Sequence, residues 1–134
     1  MQKGFTLIEL MVSLSMVMIL ASTAVSNYEE FKARSFNTVS QSDYRNIKLV
    51  MFDEAMNAEA PSSFNHRNVT GPAELPDPLS IAKVSEGVRV VRARRRTRRN
   101  GRELIRLEVE HENTRLRYRY VSNNGTELEQ VIQR

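Results

Sequence analysis

Apolar positions follow three different patterns along the chain, and each predicts a different element. From Phe5 to Val25 they form a nearly unbroken run of 21 positions whose only ionisable side chain is Glu9. At about 1.5 Å per residue this run predicts a helix roughly 31 Å long, enough to cross the hydrocarbon core of a bilayer. Beyond it the apolar residues thin out but keep helical spacing. Tyr28, Phe31, Phe36, Val39, Tyr44, Ile47, Met51 and Ala55 recur at steps of three to five, close to one helical face. No proline or glycine interrupts residues 5–60, and Glu30 and Arg34 stand four apart, where opposite charges support a helix. Pro61, followed by Ser62 and Ser63, supplies a stop. The first 60 residues thus predict one helix of roughly 80 Å, apolar in its first half and amphipathic in its second.

Residues 61–86 read as a connecting loop, with Pro61, Pro72, Pro76 and Pro78 among Asn65, Asn68, Gly71 and several serines. A connection this long is expected to wrap the helix or carry a surface function. From Gly87 the period changes to two, predicting four strands: Val88–Arg96, Glu103–His111, Leu116–Ser122 and Glu127–Gln133. A three-residue Arg99-Asn100-Gly101 loop sets Val91 opposite Val109 and Ala93 opposite Leu107. The four-residue loop Glu112–Arg115 sets Val109 against Tyr118 and Leu107 against Tyr120. An Asn123-Asn124-Gly125 loop sets Tyr120 against Leu128 and Leu116 against Ile132. One face is then apolar, and the other pairs Arg92 with Glu108, Glu108 with Arg119, Glu110 with Arg117 and Arg119 with Glu129. The expected fold is α+β: a long N-terminal helix packed against a four-stranded antiparallel β-meander. Its parts are a leader at 1–4, a membrane or filament-core helix at 5–27, an amphipathic half at 28–60, the loop at 61–86 and the sheet head at 87–134.

Composition narrows the chemistry. At 134 residues there is material for one domain. The absence of cysteine excludes a disulfide framework, a thiolate metal site and a catalytic thiol. The net charge of +4 is unevenly placed, with eight arginines between Arg89 and Arg102. His66 and His111 are the only histidines, and neither belongs to a cluster of metal-ligand spacing. No Ser-His-Asp set, glycine-rich phosphate loop or carboxylate dyad is present, so neither an enzyme nor a cofactor or metal is expected. Asn68-Val69-Thr70 fits a glycosylation sequon, a pattern short enough to arise often by chance.

The N-terminus carries the sharper signal. Lys3 precedes the apolar run and no basic residue follows until Lys32, so the positive-inside rule keeps the first residues cytoplasmic and sends the remainder outward. Three readings fit such a segment: a secretory signal cleaved near Ser22-Thr23-Ala24, a permanent single-pass anchor, or a precursor cut at Gly4-Phe5. Glu9 discriminates among them. A carboxylate in an apolar span costs on the order of 2.5–3.5 kcal/mol and so requires a partner. Cleavage after Gly4 creates one, the α-amine of Phe5, in the same chain or in a neighbouring helix of a packed bundle.

Gly4-Phe5-Thr6-Leu7-Ile8-Glu9-Leu10 resembles the processing site of type IV prepilins and type II secretion pseudopilins. The resemblance implies cleavage after Gly4, methylation of the new terminus Phe5, and a role for Glu9 with Phe5 in assembly. It implies as partners a prepilin peptidase/methyltransferase, the inner-membrane assembly machinery and further copies of the chain in a helical filament. The precursor is expected in the bacterial inner membrane as a single-pass protein with its C-terminus outside the cytoplasm, and the product in an extracellular pilus serving adhesion, motility or DNA uptake. A long helix bearing a four-stranded sheet is also the architecture of that family. The stretch from Lys32 to Lys48 resembles the segment that follows the anchor in many major pilins, whereas Ser26 and Met18 stand where many of these carry proline and glycine. Major pilin, minor pilin and pseudopilin all stay open.

Arg94, Arg95, Arg96, Arg98, Arg99 and Arg102 form a candidate polyanion-binding cluster, which in a minor pilin would capture DNA. The competing reading is a solvated hairpin whose alternate arginines pair with glutamates and whose charge discourages edge-to-edge association, and it is preferred. The aromatics at Phe5, Tyr28, Phe31, Phe36, Tyr44 and Phe52 are read as packing residues rather than as an electron-transfer path.

Overall fold

The computed structural model describes residues 4–57 and 63–133. These fall into two compact units, one reaching to Arg34 and one beginning at Ser35. Helix α1 runs from Leu7 to Asn57, 51 residues. The expected continuation to residue 60 and the stop at Pro61 and Ser62 lie outside the described residues.

In the first unit the helix is bare. Its apolar window has a mean hydropathy of 2.0 and none of it is buried, the one candidate membrane span among the described residues. Three hydroxyls bond back to carbonyls of the same helix: Ser13 to Glu9 at 2.7 Å, Ser15 to Met11 at 2.8 Å and Thr23 to Leu20 at 2.9 Å. Each is thereby satisfied without water, which lets a polar side chain sit in lipid.

In the second unit the amphipathic stripe is buried. Tyr44, Ile47 and Met51 lie in the core, with Val39, Val50 and Phe52 packed beside them. Tyr28 and Phe31, which continue the spacing in sequence, belong to the first unit and are exposed. The helix residues of this unit meet a sheet of five strands, not four. The strands β1 (Phe64–Thr70), β4 (Val88–Thr97), β5 (Glu103–His111), β6 (Leu116–Asn123) and β7 (Thr126–Gln133) are ordered β1-β4-β5-β6-β7, every pair antiparallel. The added strand comes from the stretch read as a loop. The same stretch holds a short ladder of β2 (Ala73–Glu74) and β3 (Lys83–Val84). Leu75, Leu79, Ala82 and Val84 from this excursion are buried in the core, so it is a structural part of the head. Its prolines lie outside β1; on the helix side of that strand His66 stands between Phe64 and Val69, and Asn68 at a φ of 53° breaks the alternation, which masked it.

Two registers depart from expectation. Between β4 and β5 the Arg99-Asn100-Gly101 turn holds Ala93 opposite Leu107, and Gly101 has the expected positive φ of 74°. A bulge then intervenes between Val90 and Arg92, so Val90 and not Val91 faces Val109. Arg89 is consequently set opposite Glu110. Between β6 and β7 the loop has two residues, because Asn123 pairs with Thr126. Asn124 and Gly125 have φ of 54° and 86°, the two positive values of a type I′ hairpin. Tyr120 therefore faces Glu129, and Arg119 faces Gln130, not Glu129. A one-residue slip exchanges the faces of a strand. Thus Leu128 leaves the helix side and stays half-exposed, while Glu129 takes its place. The β5–β6 register is as expected, with Val109 against Tyr118 and Leu107 against Tyr120.

Candidate functional site

The N-terminal candidate residues lie at the head of α1. Gly4 is in open space and Phe5 is 84% exposed. Thr6 is the residue before the helix: its carbonyl accepts from the Leu10 N–H at 3.3 Å, and its hydroxyl accepts from the Glu9 N–H at 3.3 Å. Glu9 reaches back, its Oε2 accepting from the Thr6 N–H at 3.0 Å and the Thr6 hydroxyl at 2.8 Å. This reciprocal pair is a capping box, and it puts a carboxylate where the helix dipole is positive. Thr6 was not singled out from the sequence, although Thr-x-x-Glu ahead of an apolar run is the signature. Both bonds from Thr6 fall on Oε2, so among the described residues no donor reaches Oε1. Phe5, Ile8, Val12 and Ser13 surround the carboxylate in a shallow, mostly apolar depression. A cation entering it meets an exposed acceptor already oriented by Thr6.

The arginines read as one cluster separate into three environments. Arg95 faces the helix and is buried, ion-paired with Glu103 and 3.4 Å from the Ala55 carbonyl. It is removed from any surface patch. Arg98, Arg99 and Arg102 are exposed at the β4–β5 turn, and Arg94 and Arg96 lie on the face of the sheet away from the helix. On that face Arg89 and Arg117 grip Glu110, with Arg117 Nη2 at 2.8 Å. Glu108 accepts from Arg106 Nε at 2.8 Å and Arg119 Nε at 3.2 Å, with Arg117 Nη1 at 3.7 Å. Burial acts to raise the Glu110 carboxyl, and the hydrogen bonds from Arg89 and Arg117 outweigh it, holding the group below its ordinary range. Arg92 stands opposite Glu108 in register, but the ion pairs of Glu108 go to Arg106, Arg117 and Arg119. On the helix side Glu129 accepts from Tyr44 at 2.9 Å and Lys48 at 3.1 Å, bonds that hold its carboxyl low.

The remaining candidates have structural surroundings. His111 is buried, stacks on Phe36 at 4.3 Å between ring centroids, and accepts from the Asn113 N–H at 3.1 Å through Nδ1. His66 stacks on Phe64 at 5.4 Å. Phe52 meets Tyr120 edge to face, and Tyr44 meets Tyr118. Among the described residues no group of three or more His, Cys, Asp or Glu side chains is arranged to hold a metal ion. Asn68 is exposed in β1 with a φ of 53°.

Comparison with known families finds one match. Residues 1–25 fit the model described as the prokaryotic N-terminal methylation motif, the prepilin-type cleavage and methylation signal of type IV pilins. Proteins with this signal are generally structural rather than enzymatic. No curated protein and no solved structure matches the chain. The motif and the apolar first half of α1 together fit a membrane-anchored, pilin-like precursor.

Proposed function

From the prepilin-type signal at its N-terminus, we propose that this chain is a structural subunit of a type IV pilus. The precursor sits in the inner membrane through the first half of α1. A prepilin peptidase cuts between Gly4 and Phe5 and methylates Phe5. The mature chain is then drawn into a filament whose core is made of the apolar helices. The observation that carries this reading is the placement of Glu9: four residues beyond the Gly4-Phe5 bond, held by Thr6 through one carboxylate oxygen, with the other reached by no donor among the described residues. In a bundle of such helices the Phe5 amine of one copy offsets the Glu9 charge of the next, which answers the cost of a carboxylate in an apolar span. The length of the apolar run and the intrahelical bonding of Ser13, Ser15 and Thr23 support residence in lipid before assembly.

The test is Glu9→Ala in cells that otherwise make filaments of this chain. Insertion and cleavage are expected to proceed at near-normal levels, and filaments to be absent or scarce. Abundant normal filaments from that variant would overturn the pairing of Glu9 with a neighbour.

A further inference from the structure

The surface opposite the helix is the most strongly charged region of the second unit. Register places Arg67, Arg89, Arg92, Arg94, Arg96, Arg106, Arg117 and Arg119 on it, against Glu108 and Glu110. Eight arginines and two glutamates leave six positive charges, more than the +4 of the whole chain. The rest of the molecule is therefore slightly acidic, and the basicity of the protein is a property of this one face. Neither lysine of the second unit, Lys48 or Lys83, is on it.

Charge balance alone does not account for the arrangement. Glu108 and Glu110 are buried and are fully served by Arg89, Arg106, Arg117 and Arg119. Those bonds fix four guanidinium groups, reducing the freedom that an anion would otherwise have to freeze out. Arg67, Arg92, Arg94 and Arg96 are surplus, with no carboxylate in ion-pair range among the described residues. They belong to the adjacent strands β1 and β4. Same-face side chains stand about 6.8 Å apart along a strand and about 4.8 Å apart across strands, so the surplus forks form a close array of planar bidentate donors.

We infer that this face binds the phosphodiester backbone of a nucleic acid, a function beyond that of a filament subunit. Guanidinium forks match phosphate oxygens in pairs. The only carboxylates on the face are buried and already paired, so an approaching polyanion meets little repulsion. No aromatic residue stands on these strands' outer positions to stack on bases, and the face is built of strands alone, so recognition is of the backbone and independent of sequence. The site is the sheet face, not the exposed turn at Arg98, Arg99 and Arg102.

The test uses the full chain in neutral detergent micelles and a short labelled DNA duplex, with affinity followed against salt by fluorescence anisotropy. R67Q/R92Q/R94Q/R96Q should bind at least tenfold more weakly at low salt. It should also flatten the slope of log affinity against log salt by about 3 to 4, close to 0.9 for each lost phosphate contact. R98Q/R99Q/R102Q should change binding far less. Should the glutamine variant fold poorly, lysine at the same four positions keeps the charge, and a several-fold loss of affinity at an unchanged slope is expected. The inference is overturned by wild-type affinity in both four-site variants, or by a turn variant that loses as much as the face variant. It is equally overturned if polyglutamate or phosphatidylglycerol vesicles, matched for charge, compete as well as unlabelled duplex. Those results would assign the face to an acidic protein or to lipid.

Discussion

The hydroxyl of Tyr44, on the long helix, donates to Oε1 of Glu129, on the last strand, at 2.9 Å across 85 positions of sequence. Lys48 binds the other oxygen of the same carboxylate and lies over the Tyr120 ring at 4.4 Å. The β7 strand is otherwise largely exposed, so this cluster is its main attachment to the helix within the head. Tyr44→Phe should lower stability by about 1 kcal/mol, since it deletes a hydrogen bond to a charged but partly solvated acceptor. A double-mutant cycle with Glu129→Gln, measured by chemical unfolding, should show positive coupling. Strict additivity would mean that the bond is not formed in solution.

Acid should act on the head through His111 and two carboxylates, Glu110 and Glu129, both held low by their partners, and the sign follows from where each proton goes. Burial holds His111 below its ordinary value of 6.5, so the unfolded chain protonates first and stability begins to fall as pH drops below that value. Glu110 is held below its ordinary 4.5, so its contribution is complete above that pH and is lost as pH falls through the lower folded value. Unfolding measured at stepped pH should therefore show a decline in two stages. Glu110→Gln should cost about 3 kcal/mol at neutral pH, the low end for breaking a buried pair because both arginine partners are partly exposed. It should also shrink the more acidic stage, leaving the part that comes from Glu129. A single stage unaffected by this substitution would contradict the assignment.

The β6–β7 turn sets the face of every residue that follows it. Gly125 has a φ of 86°, where a side chain costs about 1–2 kcal/mol. Gly125→Ala should destabilise the head by about that amount and weaken the Tyr44–Glu129 coupling in the same cycle. Asn124→Gly, at a φ of 54°, should be close to neutral. If both substitutions behave alike, the turn is not of the I′ type.

Asp43 is buried and accepts from the Ser85 N–H at 2.6 Å and the Ser85 hydroxyl at 2.9 Å, fastening the end of the β2–β3 excursion to the helix. Asp43→Ala leaves a backbone donor without its partner and should cost about 2–3 kcal/mol. Hydrogen exchange should show the Ser85 amide losing protection first. Unchanged protection there would remove Asp43 as the anchor.

Much of this was legible in the sequence, for physical reasons that can be named. The long helix announced itself through its apolar run and the spacing that continues from Phe36 to Ala55. The β5–β6 pairing followed from a loop length, and Glu108 and Glu110 were placed beside Arg119 and Arg117 by the same count. The failures were local. The β1 strand was hidden because Asn65, Arg67 and Asn68 made it resemble the loops around it. A bulge between Val90 and Arg92 leaves no mark in a pattern of valines and arginines. Asn-Asn-Gly admits a two-residue or a three-residue turn, and the choice decided which face held Leu128 or Glu129. At the N-terminus Gly4, Phe5 and Glu9 stood out by type and position. The bonds from Thr6 that orient Glu9 were equally available from Thr-x-x-Glu. The arginine face was obscured because residues distant in sequence, Arg67 and Arg119 among them, are gathered only by strand order.

The most direct measurement for the filament assignment is mass spectrometry of the N-terminal peptide from filaments sheared off the producing cells. The proposed processing yields this polypeptide within the filaments, beginning at Phe5 and carrying one methyl group on its α-amine. Filaments that lack the chain, or that contain it with any N-terminus other than methylated Phe5, would contradict it.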